Sequence, residues 1–462
     1  MSYKSNILLR VRIAYLVMIL FSVAIVYKIV VIQTIDGGKW KKKAELIGLE
    51  YKNVKATRGN IYSDNGSLLA TSLPFYKVAF DPSRASEKTF NDGVNELADR
   101  LSKHFGDYSA LDYKRRLKKG RDSGRRYLAL NRKEINYQVK KKMSQWPIFK
   151  EGRMRGGVIF EKVDTRYHPF QYLAFRTIGS INEDNRGVVG LEYSFNKQLM
   201  GRNGKSLHQR ISGGGSIPVF DGTEVKSQNG YDVVSTIDVN LQDVSEAALL
   251  KALLHNDADY GCVVVMEVST GEIKAISNLS KNSNGKYKEN YNYAVGSQGS
   301  REPGSTFKLA SMIALFEETN VSLYDTVDTG NGSYQFYDQI MKDHKPGGYG
   351  NLSVQQIFEK SSNIGTAKLV VEEFGDKPQA YINHLSRMGL TKPLGFQLKG
   401  EGKPYIKNPS DSTWSGISLP WMSHGYELTM TPLHTLTLYN AIANNGKMIQ
   451  PLLVKSIQSA DK

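Results

Sequence analysis

Apolar residues run without a charge from Ile13 to Val26 and, past Tyr27 and Lys28, resume from Ile29 to Ile32. Twenty residues at 1.5 Å each reach about 30 Å, the thickness of a bilayer's hydrocarbon core, and Lys28 can extend its ammonium to the near interface. The pattern predicts a membrane-spanning helix over 13–34 behind a short cytoplasmic tail, 1–12. No small-residue cleavage site follows, so the helix reads as a retained anchor. From Tyr51 to Val225 short alternating runs mix with basic helical stretches, and Asp64-Asn65-Gly66 and Arg202-Asn203-Gly204 punctuate them as turns. An irregular α+β region is expected there. Gly and Ser crowd Ser212 to Ser216, predicting an exposed connection and a boundary between one domain over 35–225 and another over 226–462.

In the second region Ser245 to Leu254 has helical spacing. Cys262 to Val268 is β-rich, and Ser269-Thr270-Gly271 turns it into a second strand, Ile273 to Ile276. Helices follow at about Thr306 to Glu318, Val354 to Phe358, Ile364 to Phe374 and Pro432 to Ala443. Ser353 with Gln356 forms a capping box, Gly375 closes the third helix, and Thr431-Pro432 opens the last. At 462 residues the chain is long enough for several cores.

The formal charge of +16 favours anionic partners, and its densest stretch, Lys114 to Lys142, holds Arg115, Arg116, Lys118, Lys119, Arg125 and Arg126. No nucleic-acid recognition module accompanies it, so it reads as a solvated, partly helical surface. Cys262, the only cysteine, excludes an internal disulfide and predicts a buried strand thiol. Arg10 and Arg12 precede the span while Lys39 and Lys41 to Lys43 follow it, so charge counting alone does not place the N-terminus inside. Long domains translocate largely regardless of charge, and the chemistry below belongs outside the cytoplasm.

That chemistry centres on Arg301-Glu302-Pro303-Gly304-Ser305-Thr306-Phe307-Lys308, where a Pro-Gly turn leads into an apolar helix. Three residues is nearly one helical turn, so Ser305 and Lys308 share a face. A serine hydroxyl is a poor nucleophile until a base takes its proton, and a desolvated lysine near a helix N-terminus has its charged form disfavoured. Ser-x-x-Lys alone says little, since it recurs at Ser194, Ser283 and Ser459. Lys360-Ser361-Ser362-Asn363 forms a second constellation between two helices. Ser361 offers a hydroxyl for proton relay and Asn363 an amide for a substrate backbone. Singly, it is also what a capped turn looks like, and Ser-x-Asn recurs at Ser63, Ser194, Ser227 and Ser280.

Glu-Pro-Gly-Ser-Thr-Phe-Lys, followed some fifty residues later by Ser-Ser-Asn, resembles the transpeptidase domain of class B penicillin-binding proteins. The likeness extends to Ala56-Thr57-Arg58-Gly59-Asn60-Ile61-Tyr62, Arg166-Tyr167-His168-Pro169, Gly187 to Glu192 and Leu199 to Gly204, which resemble motifs of the family's pedestal. Thr236-Ile237-Asp238 and Thr270-Gly271-Glu272-Ile273 resemble the start of its catalytic domain. The resemblance implies an α+β chain: a transmembrane helix, an irregular α+β pedestal of dimerisation type, and a mixed α/β domain like the serine β-lactamases.

It further implies that Ser305 attacks the D-alanyl-D-alanine bond of a stem peptide and is the site of β-lactam acylation. Lys308 would act as base, Ser361 as relay and Asn363 as substrate contact. No metal and no organic cofactor is implied. Peptidoglycan stem peptides, lipid-linked precursor and β-lactams would be the ligands. A division-site glycan polymerase and other divisome membrane proteins would be partners at the bacterial inner membrane, with the main domains on its outer side. The family's third motif, Lys-Thr-Gly or Lys-Ser-Gly, does not occur in these 462 residues, so the catalytic domain is expected to be incomplete. Glu427 and His434 stand where relatives usually carry Gly and Gln, and His434 is expected on the helix surface. A serine D,D-carboxypeptidase and a non-catalytic division scaffold are the alternatives.

Overall fold

The computed structural model describes residues 3–34, 36–40, 48–211, 215–219 and 222–459. A 32-residue helix, α1 (Tyr3–Thr34), opens the chain, and its segment Arg12–Thr34 is long and apolar enough to cross a membrane. From Arg12 onward its side chains are almost all exposed, so its apolar surface has almost no cover among the described residues.

The pedestal is built on a long hairpin-like pair, β1 (Leu68–Phe80) and β2 (Val158–Tyr167), antiparallel from Thr71 opposite Tyr167 to Phe80 opposite Val158. The intervening chain folds as a helical head. Its first helix, α2 (Glu87–Phe105), is capped by the Ser86 side chain and stopped by Gly106 in the left-handed conformation. Phe90, Val94, Leu97, Leu101 and Phe105 recur at helical spacing and are buried against Phe80, Trp146 and Phe149. The basic stretch falls on α3 (Ala110–Asp122) and the loop after it: Tyr113 and Leu117 face the core while Arg115, Lys118, Lys119, Arg125 and Arg126 are exposed. The Gly/Ser run expected as a connection lies partly outside the described residues. Its described part, Gly215–Pro218, pairs with Gly204–Ile211, which pairs in turn with Leu49–Val54.

Three motif segments of the pedestal converge on one carboxylate. Glu192, fully buried, takes Arg58 Nε at 2.6 Å on one oxygen and Arg166 Nε at 2.6 Å on the other. Arg58 also donates to the carbonyls of Asn185 and Glu192 and to Asn196 Oδ1, and Arg166 donates to the Gly59 carbonyl. Burial pushes the Arg166 guanidinium down from its ordinary pKa, and Glu192 opposes that push. Such a triad survives in a dry interior only because nearly every donor is matched.

The second half begins with a strand, β3 (Asp232–Ser235), that lies parallel to Ile61–Tyr62 of the first half and antiparallel to Val454–Gln458. The two halves therefore share one sheet, and Ile61, Leu69, Leu191, Val233, Ile273, Leu433 and Leu453 share one core. Helix α4 (Val239–His255) starts at Asp238, whose side chain accepts two backbone N–H groups. The predicted hairpin is present as β4 (Tyr260–Met266) and β5 (Ile273–Lys281). Cys262, expected buried, is half-buried on β4, and burial raises its thiol pKa to about 11. The capping box at Ser353 and Gln356 forms as predicted. Gly375 ends its helix in ordinary right-handed geometry, bonding back to the Val371 carbonyl.

Candidate active site

Ser305 lies in a single 3₁₀ turn, Gly304–Phe307, which passes into α5 (Lys308–Glu318). The sequence predicted a helix beginning at the serine; instead the α-helix proper begins three residues later. The tighter turn eclipses residues i and i+3, so Lys308 leaves the chain on the side of Ser305. Gly304 supplies the φ of +57° that starts this turn. Phe307, Ala310, Met312, Ala314 and Leu315 are buried and pin α5 in the core.

Ser305 is exposed whereas Lys308 is 1% exposed. Lys308 Nζ donates to the Ser361 carbonyl at 2.6 Å, to Ser361 Oγ at 3.0 Å and to Asn363 Oδ1 at 2.7 Å. Three acceptors suit the three protons of an ammonium, yet burial disfavours the charge and lowers the pKa to about 8, with the Asp343 carboxylate opposing. The structure thus brings Lys308, Ser361 and Asn363 together, with Ser305 on the turn that leads into Lys308.

Ser361 sits between α6 (Val354–Glu359) and α7 (Asn363–Phe374) at a φ of +55°, unusual for a residue with a Cβ. The cap of α7 is Ser362, whose side chain accepts from Gly365 N, so the Asn363 side chain is not spent on capping and binds Lys308 and the Lys342 carbonyl instead. Asp343, which the sequence reading did not single out, accepts from Ser362 Oγ at 2.8 Å and from the N–H groups of Asn363 at 2.6 Å and Ile364 at 3.1 Å. Nothing local marks it, since it lies twenty residues before Asn363 at the end of a short strand, Gln339–Lys342.

A third segment, 423–427, runs against the start of α5. Ser311 Oγ donates to the Ser423 carbonyl at 2.6 Å, Gly304 N to the Gly425 carbonyl at 3.1 Å, and Glu427 N to Glu302 Oε1 at 3.0 Å. Gly425 has a φ of +89°, and a Cβ there would lie 2.1 Å from the Gly304 carbonyl oxygen. Backbone faces backbone, so neither side can yield cheaply. Gly425→Ala is therefore expected to displace the turn that carries Ser305 and, for the β-lactam acylation that the sequence resemblance implies at that serine, to slow labelling about 100-fold, read as a second-order rate; a wild-type rate would mean that this contact does not position the serine.

Glu427, where relatives usually have Gly, does adopt the left-handed φ of +56°. Such a conformation costs a non-glycine residue about 1 kcal/mol or more. Its side chain meets the buried Lys407 at 2.8 Å. His434, expected on the helix surface, is 1% exposed, so that expectation was wrong. It occupies the inner face of the helix Pro432–Ala443, where Thr431 Oγ1 at 2.7 Å and the Lys392 carbonyl at 3.3 Å hold its ring nitrogens. Of the other Ser-x-x-Lys serines, Ser194 spends its hydroxyl accepting from Lys399 N.

Comparison with known proteins matches residues 53–235 to a family described as penicillin-binding protein dimerisation domain and residues 261–462 to one described as penicillin binding protein transpeptidase domain. The chain is 26% identical over 439 residues to peptidoglycan D,D-transpeptidase FtsI of Escherichia coli K12, covering 92% of this chain and 69% of that protein. It is 31% identical over 312 residues to penicillin-binding protein PbpB of Mycobacterium tuberculosis, covering 65% of this chain and 44% of the relative. The fold matches crystalline penicillin-binding protein 2X of Streptococcus thermophilus with a TM-score of 0.69 at 23% identity, over 89% of this chain and 62% of that one.

Proposed function

Because this chain belongs to the class B penicillin-binding proteins, a dimerisation domain followed by a transpeptidase domain, we propose that Ser305 is the nucleophile of a peptidoglycan D,D-transpeptidase acting in septal wall synthesis. The observation that carries the reading is a buried lysine, low in proton affinity, on the same turn as an exposed serine and bonded to both side chains of the second constellation.

Ser305 Oγ attacks the carbonyl carbon of the D-alanyl-D-alanine bond while Lys308 Nζ takes the hydroxyl proton. The Ser305 amide, at the start of a helical segment and without a partner inside it, is one donor to the oxygen that gains charge. The carbon–nitrogen bond then breaks, and the proton passes from Lys308 through Ser361 to the departing D-alanine amine. Asn363 holds the backbone of the stem peptide. An amine of a neighbouring stem attacks the resulting ester, gives up a proton by the same route, and restores the Ser305 hydroxyl. β-Lactams acylate the same oxygen. Residues 13–34 anchor the chain once in the bacterial inner membrane, with the pedestal and catalytic half outside the cytoplasm beside a division-site glycan polymerase and other divisome membrane proteins.

Labelling the full chain in its own membranes with a fluorescent penicillin, followed by digestion, is expected to place the adduct on the peptide bearing Ser305. An adduct on the peptide of Ser194, Ser283 or Ser459 would overturn the assignment. Release of D-alanine without transfer to any amine would favour the carboxypeptidase alternative.

A further inference from the structure

The loop that carries Ser361 is fastened from outside by the short strand pair Ser333–Phe336 and Gln339–Lys342. The N–H groups of Asn363 and Ile364 belong to the first turn of α7 and have no acceptor within the helix. Asp343, 9% exposed, provides one with Oδ1 while Oδ2 takes the Ser362 hydroxyl. A carboxylate there also meets the positive end of the helix dipole. One residue earlier, the Lys342 carbonyl accepts from Asn363 Nδ2 at 2.9 Å, which turns Asn363 Oδ1 toward Lys308. The left-handed Ser361 is thus followed by two residues that cannot rotate without breaking bonds to the 342–343 segment.

We propose that Asp343 is a positioning residue of acyl transfer: its carboxylate holds Ser362 and the first turn of α7, and with them Ser361 and Asn363, and it stands one residue from Lys308, Asn363 being bonded to both. This rests on the reading of Ser305, Lys308 and Ser361 given above. The other ionisable groups around the lysine leave that place to Asp343. His424, on the loop after the helix Ser418–Met422, is buried, and its pKa falls to about 4, so its imidazole is neutral near pH 7. Lys342, His344 and Lys360 are exposed. Removing the carboxylate lowers the proton affinity of Lys308 further, because burial then acts unopposed. More free amine would be present at neutral pH, yet the relay it serves would be loose.

These two effects separate in the pH dependence of acylation. In Asp343→Asn the acid limb of the fluorescent-penicillin rate profile is expected to move to lower pH by up to about one unit, while the plateau falls about tenfold or more. Asp343→Glu keeps the charge and is expected to keep the midpoint. Ser362→Ala removes the bond to Asp343 and the cap bond from Gly365 N but no charge, and serves if Asp343→Asn does not fold: its plateau should fall with the midpoint unmoved. An Asp343→Asn midpoint equal to wild type, a Ser362→Ala plateau equal to wild type, or a shifted midpoint in Ser362→Ala would overturn the proposal. Loss of the Ser305 assignment would show separately, as label elsewhere in the wild-type chain.

Discussion

Lys308→Ala is expected to slow penicillin acylation by about 10²–10⁴-fold, the usual contribution of a positioned general base. In the wild type the amine must be unprotonated to act, and burial sets its pKa at about 8. The rate should therefore climb as pH rises toward that value and level off above it, with about a tenth of the molecules carrying free amine at pH 7. In Lys308→Ala the limb itself should vanish. Lys308→Arg should not restore it, because a guanidinium stays protonated throughout. Stopped-flow or gel-based labelling across pH 6 to 9.5 reads all three; a variant that kept the wild-type profile would remove Lys308 from the mechanism.

The second large effect concerns stability. Glu192→Ala should destabilise the chain by about 3–5 kcal/mol, the cost of leaving a buried ionic partner uncompensated. Here two guanidiniums, Arg58 and Arg166, would face each other with their shared carboxylate gone. Both side chains are nearly inaccessible to water, so solvent cannot take over. Chemical denaturation of the detergent-solubilised chain should show the midpoint falling. Glu192→Gln, which keeps an acceptor oxygen, should lose less. A change below about 1 kcal/mol for Glu192→Ala would show that the triad is poorly coupled to folding.

Both predictions involve residues whose importance the sequence exposed unequally. Ser305 and Lys308 were legible because their relation is local: three residues on one turn fix their common side whatever the rest of the chain does. Ser361 and Asn363 were legible as a loop between helices, but nothing local says that Lys308 would reach them. Asp343 was illegible because its partners are twenty residues away and its neighbours are an ordinary short strand. Arg58, Arg166 and Glu192 each stood inside a motif, but their meeting at one carboxylate depends on long-range packing that no periodicity encodes. The error at His434 has the same origin. Its helix is buried on more than one side, and a polar residue there is stabilised by Thr431 and the Lys392 carbonyl instead of by water.

The sheet shared by the two halves bears on how the chain is made. Ile61–Tyr62 obtains its neighbour Asp232–Ser235 only after most of the pedestal has been synthesised, and Val454–Gln458 closes that sheet last. The Lys455 ammonium then reaches Asp64 across a separation of 391 residues. Pairings so remote in sequence are slow to form, because a long loop must close before any contact rewards it. A newly made pedestal thus waits with an unfilled strand edge, a state open to misassociation, until the distant strands that complete it have been synthesised.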